Sequence, residues 1–218
     1  MNGLLFITHQ TERYTFLQSA EMALEGGCRR IQLRMKGATP GEVETAGRLA
    51  KERCERYGAE LYIDDHVAVC KTIRATGVHL GKADMPPREA RQRLGEGFII
   101  GGTANTFEDI RRLDGEGVDY IGLGPFRFTA TKENLSPFIG LSGYRRMMRQ
   151  CGEQGIRLPV FAIGGIAPDD IPGLLSAGVS GIALSSAILR ARDPVAETGR
   201  IIALLSKKSG RNAFHNVS

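Results

Sequence analysis

Residues 29–65, RRIQLRMKGATPGEVETAGRLAKERCERYGAELYIDD, decide the fold. Two short apolar runs with β-branched residues, RRIQLRM from Arg29 and ELYIDD from Glu60, flank a stretch that starts at Thr39. That stretch carries a helix start signal and the apolar spacing of a helix. The segment therefore predicts a strand, a helix and a second strand.

The same unit recurs along the whole chain. Eight apolar runs are present: LLFIT from Leu4, RRIQLRM, ELYIDD, GVHLG from Gly77, FIIGG from Phe98, DYIGLG from Asp119, PVFAIGG from Pro159 and GIALSS from Gly181. Eight units without a linker favour a single-domain (β/α)8 TIM barrel, although the pattern alone leaves a doubly wound sheet as the alternative. We expect a catalytic barrel over residues 1–206 and a polar, flexible tail over residues 207–218.

The composition indicates a soluble, cytoplasmic protein that acts on small molecules. No apolar stretch approaches the roughly 18 residues of a membrane span, and four scattered cysteines without CxxC spacing indicate free thiols. A net charge of +5 suits small phosphorylated substrates as well as nucleic acid. Because no basic, aromatic-studded motif is visible, we expect no nucleic-acid partner. The oligomeric state is left open, with a homodimer as one option.

Two acidic residues follow neighbouring predicted strands. Asp65 closes the third strand and Asp84 follows the fourth, and active sites of such barrels lie at the carboxyl ends of the strands. Mg²⁺ is commonly held by one or two carboxylates together with substrate phosphate oxygens, so this pair is a candidate metal site. Asp84 could instead cap the next helix, and Asp64 should point away from Asp65 unless the strand has ended there.

Polar residues also face the predicted barrel interior. Alternation along the second strand puts Gln32, Arg34 and Lys36 on one side. Either a bound pyrophosphate or an internal ion pair would satisfy these cations, and the pattern does not decide between them. His79 stands alone in an apolar strand and is expected to be a hydrogen-bonded core residue rather than a catalyst.

Small residues follow the last two predicted strands. Gly164 and Gly165 come after the seventh strand, and Ser185 and Ser186 come after the eighth. The loops after strands seven and eight form a recurrent phosphate site in these barrels, although a glycine pair also serves tight turns. The position in both loops favours phosphate binding.

The connection after the sixth strand, GPFRFTATKENLSPFIGLSG, is long for a compact barrel. Thr129, Thr131 and Lys132 could bind phosphate or follow a leaving group there, or could simply be solvated. Thr103 and Asn105 after the fifth strand add polar groups to the site or cap the next helix.

Taken in order, these segments resemble the thiamine phosphate synthase family over roughly residues 4–205. The motifs that carry the resemblance are QLRMK, YIDDH, GVHLGKADMP, IIGGTANT, DYIGLGPFRFTATK, AIGGI and GIALSSAI. The resemblance implies a Mg²⁺-dependent barrel transferase. Such an enzyme joins an aminopyrimidine pyrophosphate to a thiazole phosphate and releases pyrophosphate by dissociative substitution.

The resemblance also assigns roles to individual residues. Arg34, Lys36 and Lys132 would act as catalytic groups that stabilise the departing pyrophosphate, while Asp65 and Asp84 would bind Mg²⁺. The remaining substrate-binding assignments are Gln32, Leu33, Met35 and Asp64 for the pyrimidine half, and Thr129, Thr131, Gly165, Ser185 and Ser186 for the thiazole phosphate half. Thr103 and Ala130 are also assigned to substrate binding, without a half being specified.

Several positions depart from the family pattern. Asp64 replaces an asparagine, His66 an arginine, Lys82 a glutamine, Thr103 a serine and Asn105 commonly a histidine. Asp64 lacks the amide donor that would bond a pyrimidine ring nitrogen, so either it is protonated or the ring is held differently. We hypothesise that Lys82 compensates the added negative charge.

Two other functions fit parts of the sequence. A thiazole tautomerase of the same superfamily, an isomerase, would need a histidine in the loop after the fifth strand, where Asn105 stands. A non-catalytic barrel that binds phosphorylated ligands would have no need of the two acids and three cations.

The resemblance predicts the effect of removing one cation from the site. Lys132→Ala should lower turnover about 100-fold, because losing one contact to developing charge typically costs about 3 kcal/mol of transition-state stabilisation. Steady-state kinetics on a variant with an unchanged circular dichroism spectrum gives this value. A near-normal rate would contradict the assigned role.

Overall fold

The computed structural model describes residues 3–127 and 138–206. Within these ranges, eight parallel strands form a closed barrel in chain order, with β8 pairing back onto β1. The strands are β1 Gly3–Ile7, β2 Arg30–Leu33, β3 Glu60–Asp64, β4 Gly77–Leu80, β5 Ile99–Ala104, β6 Tyr120–Leu123, β7 Val160–Ile163 and β8 Gly181–Leu184. The prediction of a single-domain (β/α)8 TIM barrel is confirmed.

Helices surround the barrel. They are α1 Phe16–Glu25, α2 Pro40–Arg56, α3 Val67–Ile73, α4 Pro87–Leu94, α5 Phe107–Gly115, α6 Gly140–Glu153, α7 Ile171–Ser176, α8 Ser186–Leu189 and α9 Pro194–Ser206, with a 3₁₀ turn at Pro168–Asp170. None of the helices in the described ranges is long and apolar enough to cross a membrane.

Side-chain caps set where the helices begin. The Thr39 hydroxyl accepts from the Glu42 N–H, and the Glu42 carboxylate accepts from the Thr39 N–H at 2.7 Å. Thr106 makes the equivalent exchange with Asp109 at the start of α5. Each exchange satisfies two otherwise unpaired backbone donors, so the loops after β2 and β5 end at defined positions.

Aromatic rings fill the middle of the barrel. Tyr120 packs edge-on against both Tyr62 and Phe161, with ring centroids 5.8 Å apart in each pair. Leu5 and Ala183 complete this inner layer, and all five residues are buried. The barrel is therefore solid at this level, and a ligand can enter only from a rim.

Alternation along the strands carries polar side chains above this layer. Asp64 lies two residues beyond Tyr62 on β3, so it points to the same inner side. Its paired neighbour on β4 is His79, and Gln32 on β2 is likewise buried. The carboxyl end of the barrel is thus polar inside.

All four cysteines, Cys28, Cys54, Cys70 and Cys151, are buried free thiols, as predicted. The predicted tail over residues 207–218 lies outside the described residues. The cytoplasmic location and the homodimer stay predictions.

Gly101 gives a test of the inner packing. A Cβ at Gly101 would lie 2.1 Å from Cζ of the fully buried Tyr120, so Gly101→Ala should lower the free energy of unfolding by about 1–3 kcal/mol. In the control Gly115→Ala, at the end of α5, the new Cβ meets no atom within 4 Å. That variant should be neutral or stabilised by up to about 1 kcal/mol. Urea denaturation compares the two, and a Gly101→Ala protein as stable as wild type contradicts this packing.

Candidate active site

Groups from the end of β2 pair with carboxylates at the end of β3. The Gln32 Nε2 donates to Asp64 Oδ1 at 2.5 Å, and the Arg34 Nε lies 3.5 Å from Asp64 Oδ2. The Lys36 ammonium lies 2.5 Å from Asp65 Oδ2. The internal ion pairs, one of the two interpretations left open for these cations, are present, and pyrophosphate binding by the same cations stays a prediction.

The backbone at Asp65 explains why both acids face the site. β3 ends at Asp64, and Asp65 adopts the left-handed conformation with φ of 65°, which is uncommon for a residue with a side chain. The Asp65 N–H donates to the His79 carbonyl at 2.9 Å, which holds this turn against β4. Asp64 and Asp65 were expected to point apart unless the strand had ended there, and the strand does end at Asp64, so that exception applies.

Asp84 joins this pair from the loop after β4. Its carboxyl group lies next to that of Asp65, and its Oδ2 accepts from the Gly81 N–H at 2.7 Å. The α4 helix begins at Pro87 without any side-chain cap, so the alternative that Asp84 caps it is wrong. The structure brings the two predicted metal ligands together.

Asp65 and Asp84 differ in their affinity for a proton. Burial raises the pKa of Asp84, and the hydrogen bond and negative charge of Asp65 raise it further. For Asp65, burial acts in the same direction, but hydrogen bonds from Asp84 and Lys36 outweigh it and lower its pKa. Two carboxyl groups in contact resist ionising together, so a proton shared between them stabilises the arrangement.

Thr103 is held by a polar contact inside the barrel. His79 Nε2 lies 3.0 Å from the Thr103 hydroxyl, and His79 Nδ1 lies 3.1 Å from the hydroxyl of buried Tyr120. His79 is therefore a hydrogen-bonded core residue, as predicted. Thr106 rather than Thr103 or Asn105 caps α5, so the helix-cap alternative for those two residues is wrong.

Lys82 and Asn105 contact residues of neighbouring elements. The Lys82 ammonium lies 2.6 Å from Asp109 on α5, and the hypothesis that it compensates the charge of Asp64 stays a prediction. The Asn105 amide donates to the Gly124 carbonyl, and its N–H donates to Asp109 at 2.9 Å. Both residues join the loops after β4, β5 and β6 to one another.

Four small residues meet at the ends of β7 and β8, and we call them the glycine–serine corner: Gly164, Gly165, Ser185 and Ser186. The two strands pair directly, and both glycines have positive φ, 90° and 68°. The Ser185 hydroxyl is buried and has no hydrogen-bond partner among the described residues. A buried hydroxyl without a partner typically costs about 1–3 kcal/mol, so it is a position where a ligand oxygen would be stabilising.

Some predicted binding residues lie elsewhere. Leu33 is buried in the core outside the barrel, and Met35 packs against that core, so only their backbone groups could reach a ligand. Thr129, Ala130, Thr131 and Lys132 lie outside the described residues.

Sequence reasoning missed Arg127. Its guanidinium forms a two-point ion pair with Asp170 at 2.5 and 2.6 Å and donates to the Gly165 carbonyl at 3.0 Å. The partners are 43 and 38 residues away along the chain, and a single arginine in a long loop has no spacing pattern that would reveal them.

Two cavities lie near this end of the barrel. One of about 670 Å³ is bounded by Phe126, Arg127, Phe138 and Asp170, and its lining does not include Asp64, Asp65 or Asp84. A smaller one of about 120 Å³ is lined by Asp84, Thr103 and Lys82 among others. Charged groups with shifted pKa values converge at Asp64, Asp65 and Asp84, and of these three Asp84 lines the smaller cavity, so this side of the rim is the candidate site.

The fold and this rim together define a (β/α)8-barrel enzyme. A family model described as thiamine monophosphate synthase matches residues 4–188. The chain is 60% identical to a thiamine-phosphate synthase of Bacteroides fragilis, over 93% of this chain and 99% of that protein. It is 42% identical to one of Flavobacterium psychrophilum, over 95% and 98%.

A solved structure agrees with these sequence relatives. Thiamine phosphate pyrophosphorylase from Pyrococcus furiosus superposes with a TM-score of 0.81 at 32% identity, over 94% of this chain and 96% of that one. The chain therefore belongs to the thiamine monophosphate synthase family and is a transferase.

Asp64 gives a test of the electrostatics at the rim. Burial, and then the charge of Asp65, raise the pKa of Asp64, so the folded protein holds this proton more tightly than the unfolded chain does. The stability contributed by the protonated form is present below the unfolded pKa and is lost as pH rises through the folded pKa. Asp64→Asn cannot titrate, so its free energy of unfolding relative to wild type should increase by about 2 kcal/mol between pH 5 and pH 8.

Asp109 serves as a control because its pKa is shifted in the opposite direction to that of Asp64. Although burial opposes it, hydrogen bonds from Lys82 and from two backbone N–H groups lower the pKa of Asp109. The free energy of unfolding of Asp109→Asn should therefore lie furthest below that of wild type near neutral pH. This difference should shrink as pH falls below 4. Urea denaturation at a series of pH values gives the free energy of unfolding of both variants. If this free energy changes with pH in the same way for Asp64→Asn and wild type, the raised pKa of Asp64 is contradicted.

Proposed function

We propose that this transferase joins an aminopyrimidine pyrophosphate to a thiazole phosphate, with Mg²⁺, and releases pyrophosphate. The observation that carries the proposal is the Asp65–Asp84 carboxyl pair with Lys36 beside it, at the carboxyl ends of adjacent strands. Membership of the thiamine monophosphate synthase family supports the choice of substrates.

The carboxyl pair fits a magnesium ion. Asp65 and Asp84 supply hard oxygen donors from two neighbouring loops, and they are close enough to share a proton that a cation would replace. Within residues 3–127 and 138–206, no group of three or more acidic, histidine or cysteine side chains could hold a metal. A site with two carboxylates leaves positions for substrate phosphate oxygens, as Mg²⁺ sites commonly do. When bound, Mg²⁺ would neutralise charge on the pyrophosphate.

Cations of the β2 loop stabilise the leaving group. Lys36 and Arg34 are held by Asp65 and Asp64, so both are already positioned before substrate arrives. As the bond between the pyrimidine methylene carbon and pyrophosphate breaks, negative charge grows on the departing oxygens. Preorganised cations favour that state more than the ground state. Lys132 is proposed as a third cation.

The pyrimidine ring is assigned to the buried polar groups above the aromatic layer. Gln32, Asp64 and Thr103 are fixed there by their own hydrogen bonds. A raised pKa favours a protonated Asp64, which could donate to a ring nitrogen as an amide would. The electron-rich ring then supports a benzylic-type cation, which the thiazole nitrogen captures.

The glycine–serine corner is assigned to the phosphate of the thiazole substrate. Ser185 offers a hydroxyl without a partner among the described residues, and glycines allow the backbone to approach the ligand closely. Phosphate bound there would hold the thiazole nitrogen towards the cation, so catalysis consists of positioning and electrostatics.

The two alternative functions lack support from the site. A tautomerase would use the position of Asn105 as a proton carrier, but that side chain donates to the Gly124 carbonyl. A purely binding barrel gives no reason for buried acids paired with cations.

Removal of one carboxylate charge tests the proposal. Asp84→Asn keeps an oxygen that can accept from the Gly81 N–H but removes the charge. We expect turnover to fall about 100-fold and the Mg²⁺ concentration for half-maximal rate to rise. Glu89→Gln is the matched control, because Glu89 is an α4 acid paired with Arg93 in the same helix. Equal rates and equal Mg²⁺ dependence for Asp84→Asn and wild type would refute the metal assignment.

A further inference from the structure

The loops after β6 and β7 are joined by a short series of hydrogen bonds. The Phe126 N–H donates to the Ile163 and Gly164 carbonyls at 2.9 and 3.0 Å, and the Arg127 N–H donates to the Gly164 carbonyl at 3.0 Å. The Arg127 side chain adds a bond to the Gly165 carbonyl at 3.0 Å. One residue, Arg127, therefore contacts both glycines of the glycine–serine corner.

Several contacts fix the direction of the Arg127 guanidinium. Its two terminal nitrogens bind the two oxygens of Asp170 at 2.6 and 2.5 Å, and its Cζ lies 4.7 Å from the centre of the Phe126 ring. Asp170 is itself held, because one oxygen also accepts from the Ala167 N–H at 2.8 Å. A two-point pair of this kind defines orientation as well as distance.

Peptide geometry transmits this orientation to the corner. In a trans peptide the C=O and N–H groups point in opposite directions. Since the Gly164 and Gly165 carbonyls point at the loop after β6, the N–H groups of Gly165 and Ile166 point away from it. β7 has β6 on one side and β8 on the other, so these N–H groups are directed towards the β8 side, where Ser185 and Ser186 stand. Successive N–H groups with this direction form an anion-binding concavity.

The contact between the loops is also close. A Cβ at Gly164 would lie 2.9 Å from the Pro125 Cα, so the two backbones could not approach in this way with a larger residue. Arg127 thus completes an arrangement that the glycine makes sterically possible.

We infer that Arg127 is a positioning residue, which aims the backbone N–H groups of the glycine–serine corner at the phosphate of the second substrate. The inference rests on the proposed function, because that function places a phosphate in the corner. Arg127 acts through the two glycine carbonyls and Asp170 rather than by touching the ligand. An arginine is required because a lysine supplies one point charge and cannot hold Asp170 and the Gly165 carbonyl with a rigid fork.

Binding of matched ligands tests this role. Isothermal titration would compare the thiazole phosphate with the unphosphorylated thiazole alcohol on wild type, Arg127→Met and Arg127→Lys. We expect Arg127→Met to lower the affinity for the phosphate ester roughly 10-fold and to leave the affinity for the alcohol unchanged. Tenfold is the lower end of the effect for outer contacts that orient a ligand-binding group. Arg127→Lys should fall between wild type and Arg127→Met.

Arg200→Met is the matched control. Arg200 also makes a two-point pair, with Glu197 at 2.8 Å for both contacts, but on the surface of α9. Its removal should change the affinity for neither ligand. In steady-state kinetics, Arg127→Met should raise KM for the thiazole phosphate about as much as the binding constant and leave KM for the pyrimidine pyrophosphate unchanged.

The outcomes separate this inference from the proposed function. Equal affinity of Arg127→Met and wild type for the phosphate ester overturns the inference, and so does an equal loss for ester and alcohol. Inorganic phosphate provides a test without turnover: it should bind wild type more tightly than Arg127→Met, and equal or absent binding contradicts the role of Arg127. If wild type forms no product while phosphate binding still depends on Arg127, the proposed function fails and the positioning role stands.

Discussion

The pair of adjacent carboxyl groups at the end of β3 is the constraint on which the rim depends. A buried carboxylate is costly unless cations and hydrogen-bond donors compensate it, and Asp64 is buried while Asp65 is partly so. Gln32 at the end of β2, and Arg34 and Lys36 in the loop that follows it, supply that compensation. The same contacts hold the cations in place, so structural and functional demands on them coincide. Asp84 then adds a second carboxyl group to Asp65, which creates a position that favours a proton or a divalent cation.

The two halves of the rim are organised in similar ways. On the β2–β4 side, acids orient the cations that would meet the pyrophosphate. On the β6–β8 side, Asp170 orients Arg127, and Arg127 orients the backbone of the glycine–serine corner. In each half an ion pair sets the direction of groups that would otherwise be free to move. Such preorganisation is what a reaction without a protein nucleophile requires, because its catalysis depends on charges that are in place beforehand.

The sequence predicted the barrel and much of the rim, for identifiable physical reasons. Repetition of the strand–helix unit over 29–65 and beyond is a strong local signal. Alternation from β2 onward predicted that Gln32, Arg34 and Lys36 share one side, and all three pair with Asp64 or Asp65, although β2 itself ends at Leu33. Conformations and pairings that depend on distant residues were not predictable. The left-handed turn at Asp65 brings both acids to one side of the site. Lys82 pairs with Asp109, and Arg127 pairs with a residue 43 positions away along the chain.

The central claim is that the carboxyl pair and its cations serve a magnesium-dependent substitution. The most direct test incubates the protein with aminopyrimidine pyrophosphate and thiazole phosphate, with and without Mg²⁺, and follows thiamine phosphate and pyrophosphate together. The account predicts equal amounts of both products, formed only when Mg²⁺ is present. Folded protein that forms no thiamine phosphate, or forms it equally well after chelation of divalent cations, would contradict the account.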